Sequence, residues 1–373
     1  MKILLAPDSF KGSLSALQVC EALQNGARRV FPGAHFEVCP LADGGEGTID
    51  VLIRSAGGFT KTTRVRNPLG DSIEASWGIL PDGRAVIEMA RASGLGLIAP
   101  EKRDAKAAST FGTGQLIKAA LHAGCRDLLI GIGGSATTDG GAGAMAALGA
   151  VFRDARDVVL RPGGADLIRL HSIDTRFIEP KLERAKITLL CDVTNPLCGE
   201  GGAARIYGPQ KGATKEDTEI LDAALANFAR VSHKKWGRDF SNRSGAGAAG
   251  GLGFGLMIFC GASARNGIKV VLEAADFEEK LRGANFVLTG EGALDAQTLR
   301  EKVVAGVCRA AKSQKIKVVA FGGTLDLSGA QMDELGLHSA FSIVDGPREL
   351  SWCLQNAAPL LENAAERFFR TQL

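Results

Sequence analysis

Aromatic residues are scarce in this 373-residue chain, which holds a single Tyr and three Trp. Charge of one sign is scarce too: 44 Lys and Arg against 41 Asp and Glu leave a formal +3. That near-balance excludes the broad basic face that a nucleic-acid or membrane-surface partner requires. The densest basic run, His233-Lys234-Lys235, reads as a solvated helix end. No apolar run is long enough to span a bilayer, and the longest, residues 251–260, is rich in glycine. The apolar stretch after Met1 is too short for a signal peptide, so the expected location is the cytoplasm. None of the eight Cys has C-x-x-C spacing and the five His are isolated, which speaks for reduced thiols and against zinc.

Familiar motifs are also missing. There is no G-x-x-x-x-G-K-[ST] loop, which counts against a Walker-type kinase, and no G-x-S-x-G elbow. Gly131-x-Gly133-x-x-Ala136 matches a dinucleotide fingerprint only loosely, with no strand-ending acid about 20 residues on. It leaves a nicotinamide-dependent dehydrogenase as one rival reading.

What the chain has in abundance is glycine, 48 residues, nearly twice the ~7% average share. The length suggests two domains. Short apolar runs alternate with longer helical patterns, the mark of α/β units around largely parallel sheets. Strands are expected at residues 2–6, 36–40, 127–132, 187–191, 285–289 and 317–321. Helices are expected at 15–31, capped by Ser13 or Ser15, and at 349–370. Residues 60–80 and 85–89, around Pro81-Asp82-Gly83, read as antiparallel ribbon, and 242–255 as a glycine-rich hinge. The expected organisation is a discontinuous Rossmann-like α/β domain, residues 1–79 plus 261–373, with a second α/β domain, 80–260, inserted into it. The active site is expected in the cleft between them.

Each expected strand runs into a polar, glycine-rich turn. The turns begin at Pro7-Asp8-Ser9, Ala42-Asp43-Gly44, Gly133-Gly134-Ser135, Asp192-Val193-Thr194, Gly290-Glu291-Gly292 and Gly322-Gly323-Thr324. In open parallel sheets, ligands bind outside the carboxyl ends of strands. Phosphoryl transfer needs N–H donors and cations on phosphate, carboxylates for a metal ion, and a base near the acceptor hydroxyl. These turns supply all three. Structural duties compete: Asp43 and Glu46 suit capping of a helix at 48–55, Ser135 and Thr137 suit turns, and Lys11 suits a solvated surface.

The same blocks resemble the bacterial glycerate kinases. They are Ala6-Pro7-Asp8-Ser9-Phe10-Lys11-Gly12-Ser13, Ala42-Asp43-Gly44-Gly45-Glu46-Gly47-Thr48, Ile130-Gly131-Ile132-Gly133-Gly134-Ser135-Ala136-Thr137, Cys191-Asp192-Val193-Thr194-Asn195-Pro196, Gly208-Pro209-Gln210-Lys211-Gly212, Gly245-Ala246-Gly247-Ala248-Ala249-Gly250-Gly251 and Thr289-Gly290-Glu291-Gly292. The resemblance runs from residue 2 to about residue 370. It implies two α/β domains, one flavodoxin-like, and phosphorylation of D-glycerate to 2-phosphoglycerate by ATP with Mg²⁺, in a monomer or homodimer. Alternatives are another small hydroxy acid such as hydroxypyruvate, 3-phosphoglycerate as product, or a non-catalytic metabolite sensor. The chain departs from the family pattern at Ala293, Glu301 and Val304, where the family has Arg, Gly and Pro, and at Thr138 and Ala105.

With that resemblance, Asp192 is the expected base, with Asp8 and Asp295 in reserve. Asp43 and Glu46 are expected on Mg²⁺. Lys11 and Lys211 are expected on the γ-phosphoryl group or the substrate carboxylate. Gly133, Gly134, Ser135, Thr137, Gly290 and Gly292 are expected to hold ATP, with the helix after residue 141 adding its N-terminal dipole.

Overall fold

The computed structural model describes residues 1–299 and 302–373, so the departure at Glu301 lies outside the described residues. In chain order the strands are β1 (Lys2–Leu5), β2 (His35–Val38), β3 (Phe59–Arg66), β4 (Ser72–Ile79), β5 (Ala85–Glu88), β6 (Asp127–Gly131), β7 (Val151–Arg153), β8 (Ser172–Asp174), β9 (Lys186–Leu190), β10 (Ser263–Arg265), β11 (Phe286–Leu294), β12 (Lys317–Leu325) and β13 (Ser339–Ser342). The class is α/β with mainly parallel sheets, as expected from the alternating pattern. The chain divides into two compact units: Met1–Asp43, Asp50–Ala56 and Asn266–Leu373 form the first, Gly44–Ile49 and Gly57–Arg265 the second.

The first unit carries a five-stranded sheet in the order β13-β12-β11-β1-β2, parallel throughout. β1, Lys-Ile-Leu-Leu, is apolar on both faces because helices cover both, the usual condition of a parallel sheet. From β1 the chain moves outward one way to β2; the later strands β11, β12 and β13 build outward the other way. The direction therefore reverses between β1 and β11, and such a switch point opens a crevice outside the strand ends. β11 and β12 outrun the expected 285–289 and 317–321, because pairing continues through Ala293 with Thr324 and Leu294 with Leu325. The expected turns at Gly290-Glu291-Gly292 and Gly322-Gly323-Thr324 are thus strand.

Helix Ala16–Val30 begins at Ser15, whose hydroxyl accepts from the Gln18 N–H while Gln18 reaches back to the Ser15 N–H. It packs on helix Ala357–Arg370, and Arg29 pairs with Glu362 and Glu366 across the contact. Below them Phe286, Phe321, Phe341, Phe368 and Phe369 stack edge to face or offset, with centroids 4.9–5.8 Å apart. The expected closing helix 349–370 is broken at Asn356 into Leu350–Gln355 and Ala357–Arg370.

The second unit holds a six-stranded sheet in the order β10-β9-β6-β5-β4-β3. β5, β6, β9 and β10 are parallel, and β3 and β4 extend the sheet antiparallel. Residues 57–79 therefore belong with the second unit, not with the first as the boundary at 79/80 expects, because β4 hydrogen-bonds to β5. Residues 242–255 do not form a hinge either. Ala248 through Ile258 are buried within helix Ala248–Cys260, which carries three left-handed residues, Ala249, Gly250 and Gly251.

Gly26 measures how closely the two helices of the first unit approach. A Cβ there would collide with the Glu362 carbonyl oxygen and stand 2.9 Å from Ala365 Cβ. Propensity alone would make Gly26→Ala stabilising by about 1 kcal/mol. Overpacking against backbone reverses the sign, and urea denaturation is expected to show a loss of about 1–3 kcal/mol. An unchanged or raised midpoint would contradict this packing.

Candidate active site

In the first unit the switch point between β1 and β11 is lined by acids. Asp8 follows β1, with its N–H on the Gly290 carbonyl at 2.9 Å, so the chain is tied to β11 as it leaves the sheet. The Asp8 carboxylate accepts the Ser9 N–H at 2.6 Å and the Ser9 hydroxyl at 3.3 Å, yet it is only 8% exposed. Burial, and next the neighbouring Asp43 carboxylate, push the Asp8 carboxyl up to about 7. Glu291 adds to that push, whereas the Ser9 N–H and Lys11 oppose it.

Glu291 lies on β11 and is also buried. One oxygen accepts the Thr298 hydroxyl at 2.8 Å, and the other meets Lys302 Nζ at 3.3 Å. Burial raises this carboxyl, and Lys302 and Thr298 hold it back. Sequence reasoning gives Glu291, Thr298 and Lys302 no role. The available signal is a carboxylate in register with apolar strand residues, flanked by two glycines. Lys11 is exposed near Asp8, close enough to pull its carboxyl down.

Other expected residues of this unit have structural duties. Asp295 shapes a turn: its carboxylate accepts the Gln297 N–H at 2.7 Å, and its own N–H donates to the Thr298 hydroxyl at 3.1 Å. That turn delivers Thr298 to Glu291. Gly290 is buried in β11, where a Cβ would collide with the Phe321 carbonyl, so glycine there lets the two strands pack closely. Gly292 has more room, with the Lys11 N–H 3.6 Å from where a Cβ would be.

In the second unit the carboxyl ends of β5, β6 and β9 lie side by side. Residues 44–49 cross over them. A Cβ on Gly131 would collide with the Gly44 carbonyl, one on Gly133 would stand 3.0 Å from Gly45 Cα, and one on Gly44 would stand 2.7 Å from Leu190 Cβ. Glycine is required here because backbone passes directly over backbone. Glu88, the last residue of β5 and 2% exposed, accepts the Ile49 N–H at 2.7 Å and holds Arg91 Nε at 3.0 Å. The helix Thr48–Ala56 thus has its first turn held by Glu88, with Gly47 as its N-cap. Glu46 is exposed on this crossing segment.

The turn after β6 exposes Gly133 and Gly134, the latter at φ 73°. Backbone bonds from Leu95 to the Gly134 carbonyl and from Ala136 to the Ser93 carbonyl, 2.9 and 3.0 Å, secure it. Ser135 is nearly buried, and Thr137 is wholly so, its hydroxyl without a hydrogen-bond partner. The following helix Ala142–Ala147 offers less than expected. Asp139, fully buried, takes the N–H groups of Gly141 and Gly143 at 3.1 and 3.2 Å, along with the Thr110 N–H and hydroxyl. The helix N-terminus is already satisfied by the protein's own carboxylate. Lys211 is buried as well: its Nζ donates to the Thr137 carbonyl at 2.6 Å and does not face solvent.

Asp192 lies one residue, Cys191, beyond the end of β9 and is half-buried. Its loop is held by Asn195, whose amide donates to the Gly201 carbonyl at 2.8 Å while its side-chain oxygen accepts the Tyr207 hydroxyl at 3.0 Å. Among the described residues no three His, Cys, Asp or Glu side chains gather closely enough to hold a metal by themselves, and no helix is long and apolar enough to cross a membrane. All eight cysteines are free.

Comparison with known proteins gives this geometry a family. The glycerate kinase family model matches residues 3–373. A glycerate kinase of Bacillus subtilis (strain 168) is 45% identical over 366 residues, 98% of this chain and 96% of that one. A glycerate 2-kinase of Escherichia coli (strain K12) is 44% identical over 345 residues, 92% of this chain and 91% of the other. A crystal structure from Salmonella typhimurium LT2, described as a glycerate kinase 2, superimposes with a TM-score of 0.86 at 42% identity, covering 100% of this chain and 98% of that one. An acidic switch point, glycine turns at neighbouring strand ends and near full-length likeness to these proteins lead to one conclusion: the chain belongs to the glycerate kinase family and is an enzyme, a kinase.

Proposed function

We propose that this enzyme transfers the γ-phosphoryl group of ATP to D-glycerate, yielding 2-phosphoglycerate and ADP. The observation that carries the reading is the acidic group at the β1/β11 switch point, buried Asp8 and Glu291 with half-buried Asp43, where burial first and the neighbouring carboxylates next raise Asp8. Such a concentration of negative charge suits a site that works with a divalent cation. Mg²⁺ would take one or two protein carboxylates and would share the rest of its ligands with phosphate and water. Asp8 and Asp43 are the residues that would hold it, with Glu46 as the remaining sequence candidate. When bound, the ion supplies neutralisation of phosphate charge.

The protein's own groups do the rest. Exposed N–H groups around Gly133 and Gly134 hold phosphate oxygens. Lys11 neutralises charge on the transferred group or on the substrate carboxylate. The acceptor hydroxyl attacks phosphorus in line, the new O–P bond forms as the bond to ADP breaks, and the hydroxyl proton passes to Asp192. Asn195 and Tyr207 keep the Asp192 loop in one arrangement.

A coupled assay for ADP release with D-glycerate, followed by ³¹P NMR of the product, tests the reaction. Turnover only with hydroxypyruvate, or a 3-phosphoglycerate signal, would replace the proposal. Asp192→Asn is expected to lower kcat at least ~100-fold with an unchanged melting temperature, the scale of lost general-base catalysis. Near-normal turnover would remove Asp192 from that role.

Asp8→Asn separates function from stability. The folded-state Asp8 carboxyl stands at about 7 against an ordinary 3.8, so the folded state binds more protons than the unfolded one between those values. Wild-type stability is therefore lost as pH rises through that window. Asn keeps the acceptor for Ser9 and removes the charge. The variant is expected to be more stable than wild type above pH ~7, by up to about 4 kcal/mol, with the gap closing towards pH ~4. Its kcat/KM falls over the same range in which its melting temperature gains. A variant less stable than wild type at pH 8 would refute the repulsion.

A further inference from the structure

The turn at Gly133 and Gly134 continues inward through Thr137, and the chemistry beneath it is unusual. Thr137 and Thr138 are wholly buried and neither hydroxyl has a hydrogen-bond partner, so their own side chains do not set the register of the segment. Two other elements set it. Lys211, just past Pro209 and 2% exposed, aims its ammonium at the Thr137 carbonyl, 2.6 Å away. Gly250, in the left-handed run of helix Ala248–Cys260, accepts the Gly140 N–H at 3.0 Å, and a Cβ on it would collide with that same Thr137 carbonyl. Ala249 beside it is also left-handed, at φ 53°, a conformation that costs a non-glycine residue about 1–3 kcal/mol and persists only where surroundings impose it.

An ammonium is an expensive group to bury; burial pulls Lys211 down to about 7 even though Asp139 acts in the opposite direction. An apolar side chain of the same length would fill the space without that desolvation. What Lys211 adds is a donor directed at one carbonyl. We propose that Lys211 is a positioning residue: by holding the Thr137 carbonyl from inside the second unit, it fixes the outward turn at Gly133 and Gly134 on which the nucleotide phosphates rest. This rests on the reading of that turn as a phosphate cradle. It assigns Lys211 an action through the loop in place of direct contact with phosphate or substrate carboxylate.

The test uses the full-length enzyme and measures KM for ATP and for D-glycerate separately, with ATP affinity also read by calorimetry. Lys211→Met keeps the unbranched shape up to Cε and removes the donor. It is expected to raise the KM for ATP at least ~10-fold, the scale of one lost hydrogen bond, and leave the KM for D-glycerate within about twofold. Lys211→Gln, one bond shorter but still a donor, is expected to fall between, at about 3- to 5-fold, and decides the matter if the Met variant does not fold. An unchanged KM for ATP in the folded variant overturns the proposal, and so does a parallel rise in both KM values. Gly134→Ala serves as the reference for the turn itself. If it raises the KM for ATP and the Lys211 variants do not, only the role of Lys211 falls. If Gly134→Ala also leaves ATP binding intact, the phosphate-cradle reading falls and the proposal with it.

Discussion

Carboxylates removed from water at the ends of parallel strands impose the central constraint on the first unit. Asp8 and Glu291 gain little from solvent, and Asp8 and Asp43 repel each other. A hydrophobic sheet end would be far more comfortable. The fold tolerates the arrangement because the Asp8 backbone is tied to β11 and because Thr298 and Lys302 are aimed at Glu291. Residual repulsion is concentrated on Asp8, whose partners are a serine and an exposed lysine. Stored electrostatic tension of this kind is characteristic of a place built to receive a positive charge.

The second unit solves a different problem, how to hold a thin glycine turn still. Residues 133–141 contribute almost no side-chain packing at their tip. Rigidity comes from beneath: Asp139 binds the backbone after the turn, Lys211 its middle, and residues 93–95 its start. Asp139 also explains why a helix dipole contributes little here, since its carboxylate occupies the position an anion would take. What the turn offers to solvent is the exposed backbone at Gly133 and Gly134.

Much of this was legible in the residues. Apolar runs ending in glycine and acid marked β1, β6 and β9 and put Asp8, Gly133 and Asp192 at strand ends. Burial was not legible, because it depends on what distant segments bring. Lys211 looks like any lysine after Pro-Gln, and only the approach of Thr137, 74 positions away, makes it internal. Gly290 and Gly292 look like a turn, yet Gly290 pairs with Phe321 of β12, and the backbones approach too closely there for a side chain. The ribbon expected at 60–80 is legible as strand, yet its place beside β5 is not, since alternation reveals a strand and not its neighbour. Glu88 closes the apolar strand β5, a mark as visible in the sequence as that of Asp192 just beyond β9.

Tyr207 is the only tyrosine in the chain, and its hydroxyl rests on Asn195, three positions from Asp192. Incorporating 3-fluorotyrosine would therefore give a ¹⁹F spectrum with one resonance, and that resonance would belong to the segment bearing the proposed base. The scarcity of aromatic side chains makes the protein its own reporter on the catalytic loop.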